Sequence, residues 1–412
     1  MLETLSLTIE SHREETLAFL TDLIAIATPN PPGENYERVA DVLRGRFEAV
    51  GVHLEKVYVP AETLASRDID GERYPRPALL GQWGRTGGKS LHLHGHFDVV
   101  PANDPAQYRP MRRDGRVYGR GAADMKSGLV AIWAALRALR ECGLESSLPV
   151  TLSFTPDEES GGETGAAHLI REGVIRTEDM AFLIMPECTS GDIWNASKGA
   201  LVVDVIVKGK AAHSTLPHLG RNAFEDMLPV AEALVALRRR VETRRSRFAV
   251  DDPRAAYSTM AIGGEGGGGE KFNIVPGRYH FTIDRRPIPE EDLEDVRAEL
   301  FAIEAEMRQR GIDVTFQTWL EAQPAFTEPD HPGVQILAEN LRATTGRAPR
   351  TLLCPGFLDI RHFNARGVPA VACGPGRLET AHGPDEWVEE HDLLHYTKAL
   401  ALTLAGLNGA RI

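Results

Sequence analysis

The segment Ser90–Pro101, SLHLHGHFDVVP, joins a short strand-like run to a cluster of polar side chains. Residues 90–94 have the length and pattern of a buried strand, so the polar groups follow at its carboxyl end. In α/β sheets, ligands bind at that end of the strands. Alternate side chains of a strand share a face, which would point His96 and Asp98 the same way. The segment therefore predicts a strand that brings an imidazole and a carboxylate to a functional site.

This pattern alone leaves alternatives open. A histidine with ordinary hydrogen bonds at a capped strand end gives the same spacing. Metal-bound histidine usually donates its other N–H to a carboxylate, and Asp98 could accept that proton. The pair His94 and His96 also matches the H-x-H of TIM-barrel amidohydrolases, but that fold requires eight β/α units and later histidines at strand ends.

Strand and helix patterns alternate on both sides of this segment. Further strands are predicted at residues 79–83, 150–154 and 182–185, and helices at 10–27, 36–50 and 126–141. This alternation predicts an α/β sandwich with a mixed or parallel sheet.

The middle of the chain has a different order of elements. Strand patterns at 201–207, 255–262, 279–284 and 314–319 accompany helical patterns at 222–241 and 289–311. The β-α-β-β-α-β order is typical of a small ferredoxin-like α/β unit. We therefore predict a catalytic domain from residues 1–197 and 319–412, with a smaller domain inserted at 198–318. The glycine-rich residues 263–269 lack the Lys-Ser/Thr and helix start of a phosphate loop, so we expect a flexible hairpin connection there.

Composition excludes several classes of function. The chain has 46 basic and 59 acidic residues, a net charge of −13, so a surface that tracks nucleic-acid phosphates is not expected. No stretch approaches 18 apolar residues, and the first residues lack the pattern of a secretory signal. The four cysteines are far apart and form no C-x-x-C pair, which argues against a disulfide scaffold. We expect a cytoplasmic enzyme with no membrane or nucleic-acid partner.

Acids and a histidine also stand beside other predicted elements, at Asp124, residues 157–159, Glu187 and His382. Each has an ordinary explanation, such as an aspartate that caps a helix or an acidic surface loop. However, a divalent cation would relieve the repulsion among the three consecutive acids and leave one carboxylate free to handle a proton. Imidazole and carboxylate ligands without a thiolate suit zinc or cobalt.

Taken together, five motifs resemble those of the M20 metallopeptidases in order and spacing: His96-Phe97-Asp98, Gly119–Lys126, Asp157-Glu158-Glu159, Glu187 and Ala381-His382. The resemblance extends over nearly the whole chain. It implies a zinc-exopeptidase-like catalytic domain of mixed sheet, and an enzyme that cleaves the amide bond of an N-acyl amino acid. The alternatives are a dipeptidase or carboxypeptidase of the same family, or a non-catalytic protein that binds a metal or ligand on this fold.

The resemblance also implies two metal ions per subunit, zinc or cobalt, that share a bridging carboxylate. One set of ligands would be His96, Asp124 and Glu187. The other set would be Asp124, Glu159 and His382. Glu158 would be the general acid/base, and Asp98 would orient the first histidine.

The inserted domain resembles the lid and dimerisation domain of the family. This implies a homodimer in which His213 reaches the partner subunit's active site, although an ordinary turn histidine is the alternative. Asn273 and Arg286 match substrate-contacting segments, and the guanidinium fork of Arg286 would suit a substrate carboxylate. A structural salt bridge is the alternative for Arg286. The implied substrate is an N-acyl amino acid or a dipeptide.

One segment departs from the family pattern. Residues 355–359 are PGFLD, where desuccinylases of the family resemble GGTSD. Phe357 and Leu358 thus replace two hydroxyl side chains. This replacement favours a more apolar acyl or side-chain group over a succinyl group.

Overall fold

The computed structural model describes residues 1–406. Its α-helices are α1 (Leu2–Ser11), α2 (Arg13–Ile24), α3 (Tyr36–Ala49), α4 (Ala61–Ala65), α5 (Lys126–Glu141), α6 (Ala166–Arg171), α7 (Ala223–Val241), α8 (Leu293–Gln309), α9 (Pro332–Thr345), α10 (Ile360–Asn364) and α11 (Glu390–Gly406). Its strands are β1 (His53–Tyr58), β2 (Pro77–Trp83), β3 (Ser90–His96), β4 (Met111–Arg113), β5 (Arg116–Tyr118), β6 (Val150–Thr155), β7 (Met180–Met185), β8 (Ile193–Ser197), β9 (Ala200–Lys208), β10 (Ala212–His213), β11 (Thr259–Gly268), β12 (Ile274–Val275), β13 (Arg278–Arg286), β14 (Asp313–Ala322), β15 (Ala325–Phe326), β16 (Thr351–Cys354), β17 (Ala370–Ala372) and β18 (Trp387–Glu389).

Two compact units divide the chain. The larger consists of Met1–Asn195, Phe326–Leu352 and Leu358–Ile412, and the smaller of Ala196–Ala325 and Leu353–Phe357. The domain boundaries predicted from the sequence remain predictions, and residues 407–412 of the last predicted segment lie outside the described residues.

The larger unit is built on a mixed sheet that contains the strand order β1-β2-β6-β3-β7-β17. Strand β3 runs parallel to both of its neighbours, whereas β2 runs antiparallel to β1 and β6. Every residue of β3 is buried, as expected for a strand covered on both faces. The predicted mixed α/β fold is therefore confirmed. The antiparallel strands rule out the eight parallel β/α units of a TIM barrel.

Helix α5 packs closely enough on β3 to fix the position of the segment that precedes the helix. A Cβ atom added to Gly95 of β3 would lie 2.7 Å from Leu129 Cδ2 of the helix. A Cβ atom added to Gly128 would lie 2.1 Å from the Pro186 backbone oxygen. The two glycines therefore allow the start of α5 to approach the carboxyl ends of both β3 and β7.

Two predictions about secondary structure are wrong. The helix predicted at 10–27 has the wrong bounds: α2 covers only Arg13–Ile24, and Glu10 belongs to the separate helix α1, because His12 leaves the helical conformation with φ −104° and ψ 14°. Residues 263–268 belong to strand β11, and residues 266–268 pair with β13 after a register shift between Ile262 and Gly266, so they are not a hairpin connection. A Cβ atom added to Gly268 would lie 2.4 Å from Tyr279 Cδ2, so close contact with the neighbouring strand explains a glycine there.

The smaller unit contains a four-stranded antiparallel sheet with the order β11-β13-β9-β14. Helices α7 and α8 complete the predicted β-α-β-β-α-β order, and the strand order is that of a ferredoxin-like fold. Alternate residues of β9 are fully buried in its core: Leu201, Val203, Val205 and Val207.

Among residues 1–406 we find no helix with the length and apolar character needed to span a membrane.

Candidate metal centre

Polar side chains of the larger unit meet at the carboxyl ends of three neighbouring parallel strands. His96 is the last residue of β3, Glu159 lies in the turn after β6, and Glu187 follows β7. Asp124 lies directly before Met125, the N-cap of α5, and its peptide bond to that residue is cis. Because β6, β3 and β7 are adjacent, their ends bring these side chains to one edge of the sheet.

The first cluster surrounds His96. Its Nε2 atom lies 3.2 Å from Asp124 Oδ1 and 3.3 Å from Glu187 Oε1. Both the imidazole and the Glu187 carboxyl are buried, yet neither His96 Nε2 nor Glu187 Oε1 has a hydrogen-bond partner. Buried polar atoms without partners are costly. One imidazole and two carboxylates that converge in this way fit a divalent cation.

The second cluster shares Asp124 with the first. His382 Nε2 lies 3.3 Å from Asp124 Oδ2 and 3.1 Å from Glu159 Oε2. The two oxygens of Asp124 therefore face two different histidines. Within each cluster, the atoms that could bind an ion all lie within 4.8 Å of one another. The five residues thus fit two ion positions with a common carboxylate.

Electrostatics at these clusters also favour cations. Without a cation, hydrogen bonds to Asp124 and Glu159 raise the pKa of His382 to about 11. Burial and the charge of Asp124 raise the pKa of Glu159 to about 7. Protons thus compensate the excess of carboxylates when no ion is bound, and a divalent cation could take their place.

Asp98 connects the first histidine to the acidic turn. Its Oδ1 lies 3.3 Å from His96 Nδ1, and that ring nitrogen also lies 3.1 Å from the Asp98 backbone oxygen. The carboxylate accepts hydrogen bonds from the backbone N–H groups of Glu158 (3.3 Å) and Glu159 (3.1 Å). The side chain of Asn30 donates a further hydrogen bond at 2.8 Å. A proton on Nδ1 would leave His96 Nε2 free to bind an ion.

Glu158 occupies a buried position beside the clusters. Its Oε1 has no hydrogen-bond partner, and burial raises the pKa of its carboxyl well above the usual value. The preceding Asp157 has a left-handed backbone with φ 66°. Asp157 accepts hydrogen bonds from Arg76 Nε (2.5 Å), Tyr36 Oη (3.0 Å) and Thr164 Oγ1 (2.5 Å). The buried polar contacts of Asp157 therefore hold the turn that carries Glu158.

Sequence reasoning missed Glu386, which holds the loop before Asp124. One oxygen of Glu386 accepts hydrogen bonds from the backbone N–H groups of Gly121 (3.0 Å), Ala123 (2.9 Å) and Asp124 (3.1 Å). Its other oxygen pairs with Arg120 Nη1 at 2.7 Å. The available signal was its place four residues after His382, in the same motif as that predicted ligand. It also missed Asn30, for which the sequence gives no comparable signal.

Three predicted site residues belong to the smaller unit and to neither cluster. His213 is exposed, lies opposite Ile274 in the β10–β12 pair, and its Nδ1 is 2.8 Å from Thr215 Oγ1. Asn273 lies near His213, because the Asn273 backbone oxygen accepts a hydrogen bond from Ser214 N at 3.0 Å. The side-chain Oδ1 of Asn273 is buried without a partner.

Arg286, the third of these residues, forms a forked ion pair on β13. Its Nε lies 2.6 Å from Asp284 Oδ1 and its Nη2 lies 2.9 Å from Asp284 Oδ2. The guanidinium carbon also lies 5.6 Å from the centre of the Phe357 ring. The salt bridge anticipated as the structural alternative is therefore present, and a substrate carboxylate would have to share or displace it.

Comparisons with known proteins agree with this geometry. Residues 92–406 match the family described as Peptidase family M20/M25/M40. The chain is 31% identical over 417 residues to an acetylornithine deacetylase of Myxococcus xanthus, with 96% of this chain and 98% of that protein covered. It is 27% identical over 385 residues to a succinyl-diaminopimelate desuccinylase of Burkholderia mallei, with 91% and 94% covered. A solved M20 family metallo-carboxypeptidase of Sulfolobus solfataricus has the same fold, with a TM-score of 0.75 at 20% identity over 95% of this chain and 98% of that one.

Proposed function

The chain belongs to peptidase family M20/M25/M40 and is a metal-dependent hydrolase, and on that premise we propose that it is a two-zinc amidohydrolase that removes the acyl group from an N-acyl amino acid. The observation that carries the proposal is the position of Asp124, whose two oxygens face His96 and His382. The two relatives that are 31% and 27% identical have deacylase names, which favours deacylation over peptide cleavage.

Each residue of the centre has a part in the proposed reaction. His96, Asp124 and Glu187 would hold one zinc ion. Asp124, Glu159 and His382 would hold the other. When bound, the pair would polarise the scissile carbonyl and lower the pKa of a water molecule; cobalt could do the same.

Glu158 is the proposed general acid/base. Its carboxylate would take a proton from the attacking water and then give that proton to the leaving amine. Support comes from its position beside the clusters, from its unpartnered Oε1, and from burial that raises its pKa. Asp98 would keep the proton of His96 on Nδ1, so that Nε2 stays available as a ligand.

The smaller unit would act as a lid and a dimerisation domain. In the proposed homodimer, the exposed imidazole of His213 would enter the other subunit's active site and donate a hydrogen bond to the developing oxyanion. Asn273 and Arg286 would bind the substrate carboxylate and neighbouring polar groups. The unpartnered Oδ1 of Asn273 supports such a contact.

The proposed substrate has an apolar acyl or side-chain group. Phe357 and Leu358 occupy positions where desuccinylases of the family resemble a pair of hydroxyl residues. Phe357 lies beside the guanidinium of Arg286, which would place an apolar surface next to a carboxylate-binding group. A cytoplasmic location is proposed with it.

The test is a substrate screen with purified protein loaded with zinc or cobalt. N-acetyl, N-formyl and N-succinyl amino acids and unblocked dipeptides would be compared under the same conditions. We expect hydrolysis of N-acyl amino acids, with apolar acyl groups preferred over succinyl. Hydrolysis of dipeptides alone would instead favour the peptidase alternative. No hydrolysis by protein that binds two ions would favour the non-catalytic alternative.

A further inference from the structure

Two buried histidines of β3, His92 and His94, belong to neither ion cluster. Their relative exposures are 2% and 0%. In the parallel pairing of β3 with β6, they lie opposite Thr151 and Ser153. The ring of Phe363 from α10 covers both imidazoles, with centroid distances of 5.5 Å and 5.0 Å. A column of polar side chains is therefore enclosed between the sheet and this helix.

Hydrogen bonds join the side chains of this column end to end. His92 Nδ1 lies 2.8 Å from Thr151 Oγ1, and His92 Nε2 lies 2.7 Å from Ser153 Oγ. The same serine oxygen lies 2.7 Å from His94 Nδ1. His94 Nε2 then lies 3.3 Å from Oδ2 of Asp359, the fully buried N-cap residue of α10. The column therefore ends on a carboxylate.

The charge of that carboxylate determines which atom donates and which accepts in each hydrogen bond of the column. Burial opposes the ionisation of Asp359, but the neighbouring His362 and His94 outweigh burial and lower its pKa, and Arg361 Nη1 lies 3.7 Å from Asp359 Oδ1. An ionised carboxylate only accepts, so His94 donates from Nε2, and a neutral His94 ring then accepts at Nδ1. The single proton of Ser153 then goes to His94, so His92 must donate from Nε2 to the serine. The hydrogen-bond chain is therefore satisfied when both neutral rings are Nε2–H tautomers.

The far side of Asp359 faces the end of the acidic turn. A Cβ atom added to Gly162 would lie 2.3 Å from Asp359 Oδ1, and Gly162 has φ +70°. Arg361, two residues along the same segment, donates a hydrogen bond from Nη2 to the Gly161 backbone oxygen. These two glycines follow directly after the turn that carries Glu158. The segment that begins at Asp359 therefore packs against the glycines that follow that turn.

We propose that the column of Thr151, His92, Ser153 and His94 fixes the Asp359 carboxylate against Gly162 and so positions Glu158 for its proton transfers. His92, Ser153 and His94 are then positioning residues, because they reach Glu158 only through Asp359 and the glycines. The inference rests on the proposed function in one respect, the role of Glu158. The arrangement of protons in the column does not depend on that role.

The first test measures the protons and needs no substrate. Full-length, zinc-loaded protein labelled with 15N in histidine would be studied by NMR near neutral pH. The signals of the two rings would be assigned by their loss in the His92→Asn and His94→Gln variants. We expect both rings to carry their proton on Nε2 with Nδ1 unprotonated. A proton on Nδ1 of either ring would overturn the proposed column.

The second test measures the consequence for turnover. Ser153→Ala removes the one hydroxyl that joins the two histidines, and Ser153→Thr keeps it. We expect Ser153→Ala to lower kcat by up to about 100-fold with little change in KM or in zinc content, because a small misplacement of a catalytic group can cost that much. Ser153→Thr is expected to restore most of kcat. Ser146→Ala is the matched control, because it removes a buried hydroxyl that has no hydrogen-bond partner.

Equal kcat values for Ser153→Ala and Ser146→Ala would overturn the positioning role. If Ser153→Ala does not fold, His94→Gln and His94→Leu replace it. Glutamine can donate to Asp359 and accept from Ser153, so it should retain far more activity than leucine, and equal losses would overturn the proposal. Failure of wild-type protein to hydrolyse any substrate of the screen would refute the proposed function, whereas the NMR result would still decide the proton arrangement.

Discussion

Replacing Glu386 with alanine is expected to destabilise the fold and weaken ion binding together. The glutamate is 2% exposed and accepts four hydrogen bonds, three from the backbone N–H groups of residues 121, 123 and 124 and one from Arg120. Arg120 is also 2% exposed, so the substitution leaves a buried guanidinium without its carboxylate. Breaking a buried ion pair in this way typically costs about 3–5 kcal/mol. A loss of that size should lower the unfolding temperature by on the order of 10 °C.

The same substitution releases the backbone that positions Asp124. Because Asp124 faces both histidines of the clusters, we expect the affinity for zinc to fall about 10–100-fold, as for other outer partners of metal sites. Glu386→Gln should have a smaller effect, since an amide oxygen can still accept from the three backbone N–H groups. The assay is thermal unfolding by circular dichroism, together with zinc titration against a competing chelator.

The control is Asp385→Asn at the exposed neighbouring residue. It should leave both the unfolding temperature and zinc affinity at wild-type values. If Glu386→Ala kept wild-type zinc affinity while it lost stability, Glu386 would anchor the fold and not the centre. Wild-type values for both quantities would refute the reasoning about this buried pair.

Four further predictions concern the centre. Removal of metal should abolish hydrolysis and zinc or cobalt should restore it, and full activity in protein shown by elemental analysis to be metal-free would contradict this. Glu158→Ala should keep both ions and lose about 10²–10⁴-fold in turnover; release of an ion would mean that Glu158 and Glu159 should exchange roles. Zinc binding should release protons near neutral pH, because without a cation His382 holds its proton up to about pH 11 and Glu159 up to about pH 7. Calorimetry in buffers of different ionisation enthalpy measures that release, and a binding heat that is the same in all buffers would contradict it. Mixing His213→Ala chains with Glu158→Ala chains should return about half of wild-type activity per heterodimer; verified heterodimers without activity would argue against action across the interface.

Local sequence patterns were sufficient to predict the elements that form the centre. Strand β3 and helix α5 carry strong local signals, and their neighbouring motifs place imidazoles and carboxylates at the strand ends. The structure brings the five predicted ligands together in two clusters. Their roles as ligands, and those of Glu158, Asp98 and the residues of the smaller unit, remain proposals that the experiments above address.

Features that depend on distant parts of the chain could not be predicted in the same way. His94 and Asp359 are 265 residues apart in the sequence, so no local pattern indicates that they pair. The glycine-rich residues 263–268 have the composition of a loop, and the pairing of residues 266–268 with β13, which the local pattern does not indicate, places them in a strand. The break between α1 and α2 at His12 has no glycine or proline beside it that would have predicted it. In each case tertiary contacts decide what the local pattern leaves open.

The central claim is that Asp124 bridges two metal ions at the edge of the sheet. The most direct measurement is X-ray diffraction from crystals of zinc-loaded protein, with anomalous data collected on both sides of the zinc absorption edge. We expect two zinc peaks per chain about 3.5–4 Å apart. Each should lie within bonding distance of one Asp124 oxygen, one beside His96 and the other beside His382. A single peak, or two peaks of which either lies away from Asp124, would contradict the account.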